Sequence, residues 1–275
     1  MVRVLNNMDK DLVLNYLDKN NIETSFIIGN VLTFGLENDK TKGMCGDYYG
    51  YFEGGELKGI LPFYNIGNCT PHYESVKAIN EFSEIMASKD FYTLMGMEYI
   101  IEPFYIILNE VKALRFYSET SYYTNNAFKP YYLDGVEFIS GDKLPSEIAS
   151  RFILKAFEDN FDSIRNRKEL SQAYTKRSIE KDYLFLVKNG EIKAQASIQT
   201  YTNRINQVGG VFTLNSERGK GYCKAVVSEL CRRIISSGRT PTLMVGKNNT
   251  PAIRAYKALG FTHYDDYLII NFETA

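Results

Sequence analysis

Two short stretches of this chain repeat one another. Gly55-Glu56-Leu57-Lys58-Gly59 returns as Gly190-Glu191-Ile192-Lys193-Ala194, each residue 135 positions after its counterpart. Each stretch lies between apolar runs, within Tyr49 to Phe63 and within Leu184 to Ile198. An apolar run, a glycine turn and a second apolar run read as a β-hairpin. Further on, Thr93-Leu94-Met95 is echoed by Thr242-Leu243-Met244 at an offset of 149, and Pro103 by Pro251 at 148. At roughly 150 residues per domain, 275 residues make about two. The expectation is therefore two related domains, residues 1–134 and 135–275, with linker residues between Ala127 and Gly135 after the Thr124-Asn125-Asn126 turn signal.

The offset grows because the second copy holds a segment the first lacks, and that segment contains Arg218-Gly219-Lys220-Gly221. In the first copy Val76 to Ala87 reads as an amphipathic helix with no glycine at its start, which offers no backbone cradle for a phosphate. The first copy is expected to bind no cofactor. The second copy reads as a strand near Val136, helices over Ser146 to Phe161 and Arg167 to Glu180, and then the hairpin. A strand Arg204 to Leu214, a helix Gly221 to Ser236, a strand Thr242 to Val245, a helix Thr250 to Leu259 and a strand Tyr267 to Phe272 follow. The fold class expected is α/β, an α+β arrangement on a mixed sheet.

Bulk properties narrow the function classes. Lys and Arg number 32 against 33 Asp and Glu, a net charge of -1, so no global field draws in nucleic acid or an anionic membrane, and neither is expected as a partner. A phosphate ligand must be held locally. Cys45, Cys69, Cys223 and Cys231 lack zinc-site spacing and read as free thiols in a reducing compartment; no metal site is expected. Met1 to Leu12 has no apolar core of a signal peptide, and the closest approach to a membrane span, Tyr99 to Leu108, is broken by Glu102 and Pro103. A cytoplasmic location is the expectation.

The most specific segment runs from Val208 to Tyr222, passing from strand to helix. Cys223, Val226, Val227, Leu230, Cys231 and Ile234 recur at steps of three and four, a core-facing helical stripe. The unpaired amides opening such a helix, with no Cβ on Gly219 or Gly221, form an anion site suited to a pyrophosphate. Neither GxGxxG nor GxxxxGK[ST] is present, and the strand before belongs to an antiparallel hairpin series, which excludes the Rossmann and P-loop readings. Gly209 and Gly210 read as a bulge or a close approach in that strand. About thirty residues on, Asn249 to Phe261 is a well-delimited helix. Asn249 or Thr250 can cap it, Pro251 suits its first turn, and Gly260 suits its left-handed end.

At these two segments the chain resembles the GNAT superfamily of N-acetyltransferases. The motif [QR]-x-x-G-x-[GA] is matched by Arg218 and Gly221 and, imperfectly, by Cys223; N-x-x-A-x-x-x-Y-x-x-x-G-F is matched by Asn249, Ala252, Tyr256, Gly260 and Phe261. The resemblance implies tandem acyl-CoA N-acyltransferase folds, the N-terminal copy degenerate and the C-terminal copy catalytic. It implies that Arg218, Gly219, Lys220, Gly221, Tyr222 and Cys223 wrap the pyrophosphate of acetyl-CoA. Val211, Phe212 and Thr213 would line its pantetheine arm, with an amide near Val211 for the oxyanion. Asn249 and Ala252 would also contact the cofactor, and Tyr256 would lie near its sulfur as the catalytic acid. The acceptor implied is an amine of a small molecule or peptide; a homodimer is left open.

The general base is not legible. The position that carries a glutamate in the histone-modifying branch is Gln207 here, which leaves a relayed water, a low-pKa substrate, or a carboxylate such as Glu158 or Asp159. His72 and His263 read as surface or interface residues. Phe116-Tyr117, Tyr122-Tyr123 and Tyr131-Tyr132 near the domain junction read either as the lining of an acceptor cleft or as packing. Gln207 also leaves room for a non-catalytic acyl-CoA-binding regulatory module, and the motifs do not exclude another acyl-CoA or an aminoacyl donor.

Overall fold

Both hairpins turn in the same way. In the first, β2 (Gly46–Glu53) pairs with β3 (Glu56–Tyr64) and closes on Gly54 and Gly55, both at positive φ; in the second, β9 (Tyr183–Lys188) pairs with β10 (Glu191–Tyr201) and closes on Asn189 and Gly190, again both at positive φ. Two central residues in the left-handed region make a type I′ turn, whose twist matches that of the flanking strands. The structure, a computed structural model, describes residues 1–160 and 183–273. The expected helix from Arg167 to Glu180, and Phe161 at the end of the helix before it, lie outside the described residues.

The chain packs as two compact units. One comprises Met1–Tyr122, Met244–Asn248 and His263–Ala275; the other comprises Tyr123–Leu243 and Asn249–Thr262. In the first, β1 (Val2–Val4) borders the hairpin, and β4 (Asn68–Cys69) and β5 (His72–Tyr73) pair with β3. β6 (Thr93–Met97) lies parallel to β4. α1 (Lys10–Lys19) and α2 (Ser25–Phe34) share a core with Ile60, whereas α3 (Lys77–Ser88) and α4 (Glu98–Leu108) share another with Leu61. Successive residues of a strand point to opposite faces, so β3, apolar almost throughout, is covered on both. β7 (Leu114–Thr124) and β13 (Thr262–Phe272) follow. Although β13 comes last in sequence, its residues Tyr267 to Asn271 pair antiparallel with β6.

The second unit repeats the order. After β8 (Glu137–Ser140) and α5 (Ser146–Asn160) come the hairpin, β11 (Ile205–Thr213), α6 (Tyr222–Ser236), β12 (Thr240–Gly246) and α7 (Thr250–Ala258). β11 is antiparallel to β10 and parallel to β12, as β4 is parallel to β6. Phe152 of α5 meets Phe185 and Phe212 edge-on on one side of the strands. α6 packs on β9, β10 and β11 through Val226, Val227, Leu230, Cys231 and Ile234, its expected stripe. The fold is α/β on a mixed sheet, with hairpin, third strand, helix, parallel strand and helix occurring twice. Among the described residues no helix is long and apolar enough to cross a membrane.

Candidate functional site

Pairing between β11 and β12 runs from Ile205 opposite Thr240 to Val208 opposite Leu243 and goes no further. Just beyond, β11 carries a bulge: Gln195 faces Phe212 and Ser197 faces Gly209, so Gly210 and Val211 together oppose one residue of β10. Gly210 sits at φ 57°. Two successive carbonyls here are tied to β10, that of Gly209 by Ser197 Oγ (3.2 Å) and that of Gly210 by Gln195 Nε2 (3.1 Å). In a trans peptide the C=O and the next N–H point in opposite directions. The Val211 N–H therefore points away from the Gln195 amide that holds the Gly210 carbonyl.

Beside Val211 opens a groove of about 400 Å³. Its lining includes Val211, Phe212 and Thr213 from β11; Arg218, Gly219, Gly221, Tyr222 and Cys223 from the glycine turn; and Asn249, Ala252 and Tyr256 from α7. Eleven of the twelve residues singled out from the sequence thus share one groove. Lys220 does not line it: its ammonium turns to Glu217 Oε2 at 2.7 Å, and Lys193 reaches the other oxygen of the same carboxylate at 3.2 Å. Lys220 and Lys193 hold the Glu217 carboxyl below the usual carboxylate range. They thereby offset a negative charge at the groove wall. Glu217, Lys224, Pro251 and Ala255 line the groove without having been read from sequence. Pro251 and Ala255 carried a usable signal, since i and i+4 positions share a helix face with the pair Ala252 and Tyr256.

The start of α6 brings unpaired backbone donors to the groove. Gly221 is the N-cap of α6 at φ 84° and no side chain caps the helix. The first helical bond is donated by the Ala225 N–H to the Gly221 carbonyl (3.0 Å), so by helix geometry the amides of Tyr222, Cys223 and Lys224 precede the ladder and face out. Arg218 and Lys224 add two positive charges. α7 starts differently, with the Asn249 side chain accepting from the Ala252 N–H at 3.3 Å and Pro251 in its first turn.

α7 contributes a buried phenol to the same groove. Tyr256 is 6% exposed and packs edge-on against Phe261. Burial raises its pKa well above the ordinary phenol value, so its O–H stays protonated and available as a hydrogen-bond donor. Burial also pushes the Cys223 thiol up to about 11, which makes it a poor nucleophile. All four cysteines are free. Thr213 also lines the groove, and its Oγ1 is buried with no hydrogen-bond partner among the described residues.

The base candidates lie elsewhere. Gln207 is buried on β11, opposite Thr200 and Thr242, and Asp159 pairs with Lys155 along α5 (3.8 Å). His263, largely exposed, meets Asp266 at 2.9 Å. His72 departs from the surface reading: it is 4% exposed in the first unit, where Tyr16 Oη meets its Nδ1 at 2.8 Å and Glu23 its Nε2 at 3.3 Å. These partners are far away in sequence, which hid the burial.

Residues 187–270 match the family model described as FR47-like protein. Among solved structures, a GNAT-family acetyltransferase from Colwellia psychrerythraea superposes with a TM-score of 0.61 at 15% identity, over 99% of this chain and 100% of that one. A Drosophila protein superposes with a TM-score of 0.75 at 11% identity, over 99% and 98%. A tandem GNAT protein from the clavulanic acid biosynthesis pathway, solved without AcCoA, gives 0.59 at 13% identity over 98% and 97%. No curated protein sequence matches.

Proposed function

This chain is a tandem GNAT protein by fold, and from that premise we propose that its C-terminal copy, residues 135–275, transfers an acetyl group from acetyl-CoA to a primary amine of a small molecule or peptide. The N-terminal copy, residues 1–134, is the degenerate partner. The observation that carries this reading is the groove itself. Its lining brings together the outward amides and two cations at the start of α6, Pro251, Ala252 and Ala255 of α7, and the buried phenol of Tyr256. Anion donors, an apolar wall and a proton donor in one groove are the elements that a diphosphate, a pantetheine arm and a thiolate need. Free thiols and a nucleotide-bearing donor fit a cytoplasmic enzyme.

When bound, acetyl-CoA supplies a thioester carbon open to attack by an amine. The amides of Tyr222, Cys223 and Lys224, with Arg218, hold the diphosphate. β11 beyond the bulge would offer its free edge to the pantetheine arm, which could pair with it as an added strand does. The Val211 N–H faces negative charge developing on the acyl oxygen. As the N–C bond forms and the C–S bond breaks, Tyr256 gives its proton to the departing sulfur and is reprotonated from solvent. The proton leaving the amine goes to water, because no carboxylate stands at Gln207 to take it. An amine of pKa near 10.4 is mostly protonated at neutral pH, which costs about 4 kcal/mol and favours acceptors of lower pKa.

The test is release of free thiol from acetyl-CoA in the presence of amines, polyamines, aminoglycosides and amino acids, alongside calorimetric titration with acetyl-CoA. Heat together with amine-dependent thiol supports the enzyme. Heat without thiol from any acceptor favours the non-catalytic acyl-CoA-binding module, for which the buried Gln207 is the supporting observation. Longer acyl-CoAs in the same titration decide the donor.

A further inference from the structure

The stretch joining the two sequence copies is tied down along its length. Asn125 Nδ2 donates to the Leu259 carbonyl at 3.0 Å, the Lys129 N–H donates to the same carbonyl at 2.9 Å, and the Tyr131 N–H donates to Ser228 Oγ at 2.8 Å. Leu259 ends α7 and Ser228 lies on α6, so these bonds carry the chain from the tail of one helix to the flank of the other. Tyr131 is delivered to the first turn of α6, next to Gly221 and Lys224 of the groove lining.

There the fit is close. A Cβ on Gly221 would lie 2.5 Å from the Tyr131 hydroxyl and 3.3 Å from the ring carbon that bears it. The hydroxyl therefore stands directly over the residue that caps α6, beside the three outward amides. Lys224, from the first turn of the same helix, places its ammonium 4.3 Å from the centroid of the Tyr131 ring. A cation on an aromatic face is held in place rather than left to sweep through water. A phenol donates a hydrogen bond without bringing a charge. Together the pair presents a fixed cation that lines the groove and a neutral donor next to Gly221.

We infer that Tyr131 is a further ligand of the diphosphate of the bound acyl-CoA: its hydroxyl donates to a phosphate oxygen and its ring holds Lys224 against the same group. The inference rests on the reading of the groove as an acyl-CoA site. It gives the linker a binding role and explains a second constraint on Gly221, whose side-chain space the hydroxyl occupies.

Calorimetry on the full chain with CoA, and ligand-observed NMR with pantetheine, which lacks the diphosphate, test it. Tyr131→Phe keeps the ring under Lys224 and removes only the donor. A lost hydrogen bond to a charged group should raise the Kd for CoA about tenfold and leave pantetheine unchanged. Tyr131→Ala, which also releases Lys224, should raise the Kd for CoA further, with pantetheine again unchanged. Wild-type affinity for CoA in Tyr131→Phe overturns the inference and leaves the groove reading intact. An equal loss for CoA and pantetheine also overturns it, since the residue would then shape the whole groove. Absence of CoA binding by the wild-type protein overturns both.

Discussion

Gln195 Nε2 donates to the Gly210 carbonyl across 3.1 Å, and that single bond sets the direction of the next amide. The arrangement has a cost: Gln195 is 2% exposed, and its Oε1 has no hydrogen-bond partner among the described residues. A side chain kept under that penalty is there for its other end. Gln195→Leu should therefore free the bulge, lower kcat about tenfold and leave KM within about threefold, because in the proposed reaction the Val211 N–H would act on charge that develops after binding. Steady-state kinetics give the split. A rise in KM at unchanged kcat would show that the bulge serves binding instead.

Tyr256→Phe should bind acetyl-CoA within about twofold of wild type and lose about 10²-fold in kcat, the usual reach of a positioned proton donor. Because burial raises the folded-state pKa, Tyr256 should contribute no alkaline fall in rate below pH 10. The stability sign follows from the same shift. A raised phenol contributes stability that is fully present below the unfolded value near 10 and is lost as pH rises past it toward the folded value. Urea unfolding at pH 8 and pH 10.5 should show wild type losing more stability than Tyr256→Phe over that interval.

The two glycines of the turn should respond differently to the same change. Both lie at positive φ, 81° at Gly219 and 84° at Gly221, which costs an alanine about 1–2 kcal/mol. Beyond that, a Cβ at Gly219 meets nothing, whereas one at Gly221 meets the Tyr131 hydroxyl at 2.5 Å. Gly219→Ala should weaken acetyl-CoA binding modestly. Gly221→Ala should weaken it by at least a further tenfold, as measured by calorimetry on the two variants side by side.

Local order explains what could be read in advance. α6 and α7 were legible because their stripes, caps and terminal glycine all lie within a dozen residues, and those signals agree with one another. The groove followed from them, since a helix start with no side-chain cap next to a strand end is a short-range feature. Most of what failed to show was long-range. Nothing within β13 says that Tyr267 to Asn271 will pair with Thr93 to Met97. Lys220 looks like the phosphate-facing base of its motif until Glu217 is seen beside it, and Lys224 then lines the groove from one turn further along. Tyr131 sits in a stretch that reads as linker, and only Ser228 and Gly221, some ninety residues on, give it a place.

His72 offers a last test, in the first unit. Glu23 accepts from Tyr264 Oη at 2.9 Å and meets His72 Nε2 at 3.3 Å. Burial alone would raise the carboxyl pKa, but hydrogen bonds from His72, Tyr99 and Tyr264 outweigh it and hold the pKa below the ordinary value. The carboxylate thus joins α4 and β13 to His72, and through it to Tyr16 of α1. Glu23→Gln keeps the shape, removes the charge and turns one acceptor into a donor facing other donors. It should cost about 2 kcal/mol at neutral pH. A depressed carboxyl contributes stability above its unfolded pKa and loses it as pH falls through the folded value. The difference between wild type and Glu23→Gln should therefore stay constant above about pH 5 and shrink below about 4.3. Urea unfolding across that range checks it, and a difference that persists unchanged at pH 3 would mean that packing, not the ionised carboxylate, holds these elements together.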